Sequence, residues 1–171
     1  MNTILNYIKL LRPLNIIISG LAMIIASAIL GEIVNLSKLI PIILTVMFFT
    51  GAANVFNDYI DYDIDLINRP KRPLPLGQVK KKNALILSII FFLLGCFFCL
   101  KLNNDARIIG IYISVPLIIL YSIKFKGLPL IGNIVTSFIL SLSFIFCGAA
   151  FENFKPLWLP SFLAFGLTLV R

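Results

Sequence analysis

Three aspartates are spaced so that a single helix presents them on one side. Asp58, Asp61 and Asp65 lie three and four residues apart. An α-helix running from Asn54 to Asn68 gathers six polar side chains within an arc of about 100°. These side chains are Asn54, Asn57, Asp58, Asp61, Asp65 and Asn68. Proteins usually hold Mg²⁺ through one or two carboxylates together with substrate phosphates. Because the chain contains no histidine, the pattern predicts Asp58, Asp61 and Asp65 as ligands of Mg²⁺ and, through it, of a diphosphate.

A competing interpretation of the aspartate segment is a solvated turn at a membrane surface. Such a turn scatters its charges and pairs lysine with glutamate, whereas residues 57–68 contain no charged residues except aspartate. Like charges on one helix face are mutually destabilising, and each carboxylate placed in a bilayer centre costs about 2.5–3.5 kcal/mol. A bound cation offsets both costs, so the segment favours a cation site.

Basic residues begin immediately after the aspartates. The stretch Arg69–Gly77 is stiffened by three prolines, and arginine can hold phosphate oxygens with two parallel hydrogen bonds. We therefore predict that Arg72 contacts the diphosphate, with anchoring at the membrane surface as the alternative. The same two interpretations apply to Lys124, whereas Lys80–Lys82 are predicted to serve as anchors only.

The elements that position these residues are predicted to be membrane-spanning helices. Hydrophobic residues make up 60% of the 171 residues, against about 45–50% in soluble domains. A span needs about 17–25 apolar residues, and only helices or closed barrels satisfy the backbone in lipid. The apolar runs lack the alternation of a barrel, so we predict an all-α polytopic membrane protein with about six transmembrane helices. The predicted helices cover residues 13–31, 39–57, 83–100, 108–123, 127–151 and 156–170.

The distribution of basic residues predicts the orientation of the chain. With alternating spans, eleven lysines and arginines fall on the side of the 57–82 loop and four fall on the other side. The positive-inside rule places the N-terminus and this loop, with the active site, in the cytoplasm. We accordingly predict a multi-pass protein of the plasma membrane. The net charge of +8 then suits anionic lipid and diphosphate rather than nucleic acid.

The aspartate segment resembles the first aspartate motif of the UbiA-type superfamily of membrane prenyltransferases. That motif reads Asn-Asp-x-x-Asp-x-x-x-Asp and is matched by Asn57, Asp58, Asp61 and Asp65. Three further stretches carry the resemblance over the whole chain. They are Leu11–Asn15, YSIKFKGLPLIGN after the fourth predicted helix, and FIFCGAAF at 144–151.

The resemblance implies roles for individual residues. The three aspartates, helped by Asn54 and Asn57, are expected to bind Mg²⁺ and the prenyl diphosphate. Tyr121 and Lys124 match a Tyr-x-x-Lys pattern that assists diphosphate binding. The remaining expected substrate-binding residues are Asn15 and Arg72.

The resemblance also implies a reaction. A prenyl group, geranylgeranyl in the branch most similar to this chain, is transferred from its diphosphate to a lipid-soluble acceptor. That acceptor is expected to be geranylgeranylglyceryl phosphate in ether-lipid biosynthesis. An aromatic compound, a quinone precursor or a chlorophyllide are alternative acceptors, because all use similar donor sites.

The family has about nine helices and a second aspartate motif that follows an arginine, to which Arg171 corresponds. The resemblance therefore implies that residues 1–171 are the N-terminal part of one prenyltransferase domain. Little activity is expected from this part alone, and a complementary C-terminal chain is a possible partner. A non-catalytic remnant and an ion-binding, transporter-like protein are the alternatives from other classes.

Overall fold

The structure, a computed structural model, describes residues 3–169, and every regular element among them is a helix. This confirms the predicted all-α class. The helices are α1 Thr3–Leu11, α2 Pro13–Ile29, α3 Leu36–Ile60, α4 Tyr62–Asn68, α5 Lys81–Cys99, α6 Asn104–Phe125, α7 Pro129–Ala150 and α8 Trp158–Leu169. Arg171 and the last residue of the sixth predicted helix lie outside the described residues.

Four helices, α3, α5, α6 and α7, are long and apolar enough to cross a membrane. A fifth candidate is the pair α1 and α2, which together pass the same criterion although they are bent by 48° at Arg12. Many large apolar side chains point away from the bundle, including Leu14, Leu93 and Phe162, and soluble monomers rarely expose such extensive apolar surface. The chain is a multi-pass membrane protein, and the count of six spans stays a prediction.

Helix α1 precedes the first predicted helix and meets α2 at a sharp elbow. Arg12 joins the two helices with φ 54° and ψ 71°, a left-handed conformation that is uncommon for residues other than glycine. Pro13 follows as the first residue of α2, where its missing N–H is no loss. The elbow directs α1 back over the end of α3, where Leu10 is fully buried beside Val55.

Helices α3 and α5 pack closely because glycines face phenylalanine rings. A Cβ atom on Gly95 of α5 would lie 2.5 Å from the ring of Phe49, and one on Gly51 of α3 would lie 2.7 Å from the ring of Phe91. Because glycine has no side chain, each position leaves room for an aromatic ring of the opposite helix. This packing fixes α3, the helix that carries Asp58, the first aspartate of the predicted site.

Two helical hydrogen bonds continue through the break in the aspartate segment. Helix α3 ends at Ile60 and α4 begins at Tyr62, yet the backbone N–H of Asp61 donates to the carbonyl of Asn57 at 2.9 Å. The N–H of Asp65 likewise donates to the carbonyl of Asp61 at 2.8 Å. The polar face therefore continues from α3 into α4, which ends before Pro70, as residues preceding proline avoid the α region.

The connection from α4 to α5 is anchored beside the aspartates. Leu74 and Val79 are almost fully buried and belong to one apolar cluster with Leu10, Val55 and Ala84. Because this cluster contacts both α1 and α3, it holds the basic connection close to the polar end of α3.

Candidate functional site

A cavity of about 570 Å³ lies between α2, α3, α6, α7 and α8. Its volume falls within the range of about 300–1,000 Å³ that is typical of ligand pockets. Four residues predicted to bind substrate line it, and they come from three helices: Asn15 of α2, Asn54 and Asn57 of α3, and Tyr121 of α6. Asn15 lies near the start of α2, and the other three lie near the ends of α3 and α6. We call this part the polar end of the cavity.

The cavity extends from its polar end deep into the bundle. Along α3 its wall runs from Asn57 to Thr45, which corresponds to ~18 Å of helix. The far end is lined by Gly110 of α6 and Phe146 of α7. The hydroxyl of Thr136 in the wall donates to a carbonyl of its own helix. Two buried wall atoms, Thr45 Oγ1 and Asn57 Oδ1, have no hydrogen-bond partner within residues 3–169.

Two buried carboxylates lie beyond the polar end: Asp58 is the residue after Asn57, and Asp65 is joined to Asp58 through Arg72. Asp58 is 4% exposed and Asp65 is 5% exposed. One atom, Nη1 of Arg72, donates to both, at 2.9 Å from Asp58 Oδ1 and 2.6 Å from Asp65 Oδ2. Arg12 Nη2 donates to the same oxygen of Asp58 at 2.5 Å. Two arginines therefore balance two carboxylates, which offsets the cost of burying charges.

This arrangement fits a divalent cation. Two carboxylate oxygens converge on a single nitrogen atom at 2.9 and 2.6 Å, so Arg72 Nη1 stands in for a cation held between them. Mg²⁺ commonly uses one or two carboxylates together with substrate phosphates, so Asp58 and Asp65 would hold the ion in the place of the Arg72 guanidinium. Within residues 3–169, no group of three or more acidic, histidine or cysteine side chains is assembled for a metal ion.

Asp61, the third predicted metal ligand, has a different partner. It forms an ion pair with Lys126, while Lys124, the predicted diphosphate ligand, is exposed. The reason is a π-helical turn over Tyr121–Phe125, in which the N–H of Lys126 donates to the carbonyl of Tyr121 at 2.9 Å. A π turn holds one more residue than an α turn, and the Tyr-x-x-Lys pattern that singled out Lys124 carries no information about such a turn.

Arg12 is a site residue that the sequence reasoning did not single out, although it lies within the stretch Leu11–Asn15. The amide of Asn54 donates to the backbone carbonyl of Leu11 at 2.9 Å, next to the contact of Arg12 with Asp58. Helix α3 thus binds the elbow between α1 and α2 at two points. The left-handed backbone of Arg12 carries no signal in the sequence, because glycine or asparagine usually occupies such positions.

Comparison with known proteins places these residues in a wider context. A sequence profile described as the UbiA prenyltransferase family matches residues 16–170. The digeranylgeranylglyceryl phosphate synthase of Methanobrevibacter smithii is 37% identical and covers 93% of this chain and 57% of its own. That of Methanothrix thermoacetophila is 34% identical and covers 84% of this chain and 54% of its own.

A solved structure described as digeranylgeranylglyceryl phosphate synthase in membranes superposes on this fold. Its TM-score is 0.86 at 32% identity, and the match covers 99% of this chain and 60% of the solved chain. The chain therefore spans a little more than half the length of the relatives that it matches.

Proposed function

The chain belongs to the UbiA prenyltransferase family, and from this premise we propose that it binds a prenyl diphosphate and acts in prenyl transfer to a membrane-associated acceptor. The observation that carries the proposal is the meeting of two buried carboxylates, Asp58 and Asp65, beside the polar end of an apolar cavity within a membrane bundle. In a prenyl diphosphate, the diphosphate would bind at the carboxylates through a cation, and the hydrocarbon chain would occupy the cavity.

Mg²⁺ is the cofactor that we propose for this site, with Asp58 and Asp65 as its protein ligands and Asp61 nearby. When bound, it supplies positive charge to the departing pyrophosphate. Hard carboxylate oxygens without histidine or thiolate suit this ion. The position held by Arg72 Nη1, shared by both carboxylates, supports the same assignment.

The other residues of the site then bind and orient the donor. Arg72 and Lys126 present positive charge to the diphosphate oxygens. Lys124, two residues before Lys126, adds to the positive charge on this side of the bundle. Preorganised charge of this kind stabilises the leaving group as the allylic bond breaks. Tyr121, Asn15 and the unpartnered Oδ1 of Asn57 line the polar end, where the reacting carbon of the prenyl chain would lie.

The apolar wall of the cavity protects the reaction from water. Side chains such as Phe49, Ile118 and Phe146 line the deeper part, and they match the hydrocarbon of a prenyl group. Excluding water matters because an allylic cation reacts with any available nucleophile. The acceptor then has to approach at the polar end, where the diphosphate leaves.

For the acceptor we propose geranylgeranylglyceryl phosphate, with geranylgeranyl diphosphate as the donor. Support comes from the names of relatives that are at least 32% identical over most of this chain. An aromatic compound, a quinone precursor or a chlorophyllide are the competing acceptors. Direct comparison of acceptors in one transfer assay separates them.

We propose a plasma-membrane location with the site on the cytoplasmic side. Arg12, Arg72, Lys81 and Lys126 lie near the aspartates, and basic residues are retained on the cytoplasmic side of membranes. An ion transporter is less consistent with this arrangement, because transporter sites lie near the bilayer midplane in broken helices.

The experiment uses membranes that contain the protein, radiolabelled geranylgeranyl diphosphate, Mg²⁺ and geranylgeranylglyceryl phosphate. Donor binding and prenyl transfer are measured for the wild type and for the double variant Asp58→Asn/Asp65→Asn. Asp63→Asn is the matched control, since that side chain is 83% exposed and lies 4.0 Å from the ammonium group of Lys81. We expect the double variant to lose donor binding and the control to retain it; undiminished binding and transfer in the double variant would refute the proposal.

A further inference from the structure

Arg72 connects the two buried carboxylates through one atom. Its Nη1 atom donates to Asp58 and to Asp65, and the side chain is itself only 21% exposed. The guanidinium therefore occupies the position between the carboxylates that the proposed cation requires. Cation and guanidinium cannot hold this position at the same time.

Arg12, the second arginine on Asp58, is held in place by its surroundings. Its backbone lies between two helices, the adjoining carbonyl of Leu11 accepts a hydrogen bond from Asn54, and Leu10 is fully buried. Arg72 instead lies in the connection between α4 and α5, two residues before the buried anchor Leu74. Arg12 contacts Asp58, whereas Arg72 contacts both carboxylates, so withdrawal of the Arg72 guanidinium is the change that frees the shared position.

We infer that the cation and the prenyl diphosphate bind cooperatively, because Arg72 keeps the carboxylates occupied until a diphosphate draws its guanidinium away. This inference rests on the proposed function and adds the order of events at that site. A cation that arrives alone has to displace the Arg72 guanidinium from Asp58 and Asp65. That guanidinium then has no anionic partner. A cation arriving with the donor leaves Arg72 free to bind a phosphate oxygen, a strong charge-assisted contact.

The coupling between cation and diphosphate is reciprocal. If bound diphosphate raises the affinity for the cation by some factor, bound cation raises the affinity for diphosphate by the same factor. Hydrogen bonds to charged groups contribute about 1.5–3 kcal/mol. Loss of the Arg72 contacts therefore corresponds to a change of about ten- to a hundredfold in cation affinity. A residue that only binds diphosphate would leave the affinity for the cation alone unchanged.

The test measures Mn²⁺ binding by electron paramagnetic resonance for the protein in lipid nanodiscs without donor. We expect Arg72→Gln to bind Mn²⁺ about ten- to a hundredfold more tightly than the wild type. Lys71→Gln, which removes an exposed charge next to Arg72, is the matched control and should change the affinity much less. Equal or weaker Mn²⁺ binding by Arg72→Gln overturns the inference.

A second measurement needs only the wild type, so it does not depend on the variant folding. Mn²⁺ affinity is compared with and without geranylgeranyl thiolodiphosphate, an unreactive donor analogue, with empty nanodiscs correcting for Mn²⁺ held by the analogue itself. We expect an increase of about tenfold or more in the presence of the analogue. Tight Mn²⁺ binding that is the same in both conditions overturns the cooperative inference alone. Absence of Mn²⁺ binding even with the analogue contradicts the proposed function instead.

Discussion

Lys126 forms an ion pair with Asp61, although α5 and α6 both lie between these residues in the chain. The contact joins the end of α6 to the break between α3 and α4, and so brings a lysine to the aspartate face. Lys124, two residues earlier, is exposed as well, and the ion pair with Asp61 belongs to Lys126. The two lysines therefore differ in their contacts, although Lys124 lies in the π-helical end of α6 and Lys126 follows it directly.

From this difference we predict that Lys126→Gln lowers donor affinity more than Lys124→Gln does. Removing the positive charge of Lys126 leaves the Asp61 carboxylate uncompensated. The net charge at the proposed diphosphate site therefore becomes more negative. We expect about a tenfold loss, equivalent to ~1.4 kcal/mol, for Lys126→Gln and a smaller loss for Lys124→Gln. Equilibrium binding of labelled geranylgeranyl diphosphate in the presence of Mg²⁺ measures both. The reverse order of effects would favour the family pattern, in which Lys124 is the diphosphate ligand.

The elbow at Arg12 leads to a prediction about stability. Arg12→Gln removes a charge-assisted hydrogen bond to the buried carboxylate of Asp58, and we expect a loss of about 1–3 kcal/mol in the free energy of unfolding. Arg12→Gly loses the same hydrogen bond but accepts the left-handed backbone without a steric penalty. The glycine variant should therefore be less destabilised, by up to about 1 kcal/mol. Thermal unfolding in detergent compares them, and a glycine variant less stable than the glutamine variant would contradict the role of backbone strain.

The all-α class could be predicted from the sequence because bilayer thickness and backbone hydrogen bonding leave few alternatives for long apolar runs. The same reasoning places Asn15, Asn57 and Tyr121 at one side of the membrane, and the structure brings them to one cavity. Alternating spans determine which helix ends meet, so this proximity follows from topology. The roles of these residues in binding stay predictions.

The ion pairs could not be predicted in the same way. Whether Arg12, Arg72 or another basic residue reaches Asp58 depends on the elbow after α1 and on the burial of Leu74, and both are tertiary features. Lys126 was missed because the π turn changes the angular position of each later residue. Helix α1 was missed because it is too short to be a span by itself.

Thr45 permits a test of the deep end of the cavity. Its hydroxyl is buried and has no hydrogen-bond partner in the described part of the chain, a state that costs about 1–3 kcal/mol. Thr45→Val keeps the branched shape and removes the hydroxyl, so we expect higher stability and tighter binding of the prenyl chain, by about three- to tenfold. Thr136→Val is the matched control, because that hydroxyl already donates to the carbonyl of Gly132 at 2.9 Å. Weaker donor binding by Thr45→Val would instead indicate that the hydroxyl serves a polar group of a ligand.

The contact between Gly95 and Phe49 gives the last prediction, which concerns the position of α3. A methyl group on Gly95 would lie 2.5 Å from the Phe49 ring, so Gly95→Ala forces α3 and α5 apart or tilts the ring into the cavity that Phe49 lines. We expect a loss of about 1–3 kcal/mol in unfolding free energy together with weaker donor binding. Gly166→Ala is the control, because its added Cβ meets no atom within 4 Å among the described residues, its own helix backbone aside, and alanine is favoured over glycine in helices by up to about 1 kcal/mol. Thermal unfolding and donor binding, measured on the same preparations, should separate the two variants in both quantities. Equal donor affinity despite lower stability in Gly95→Ala would show that the cavity does not depend on the spacing between α3 and α5.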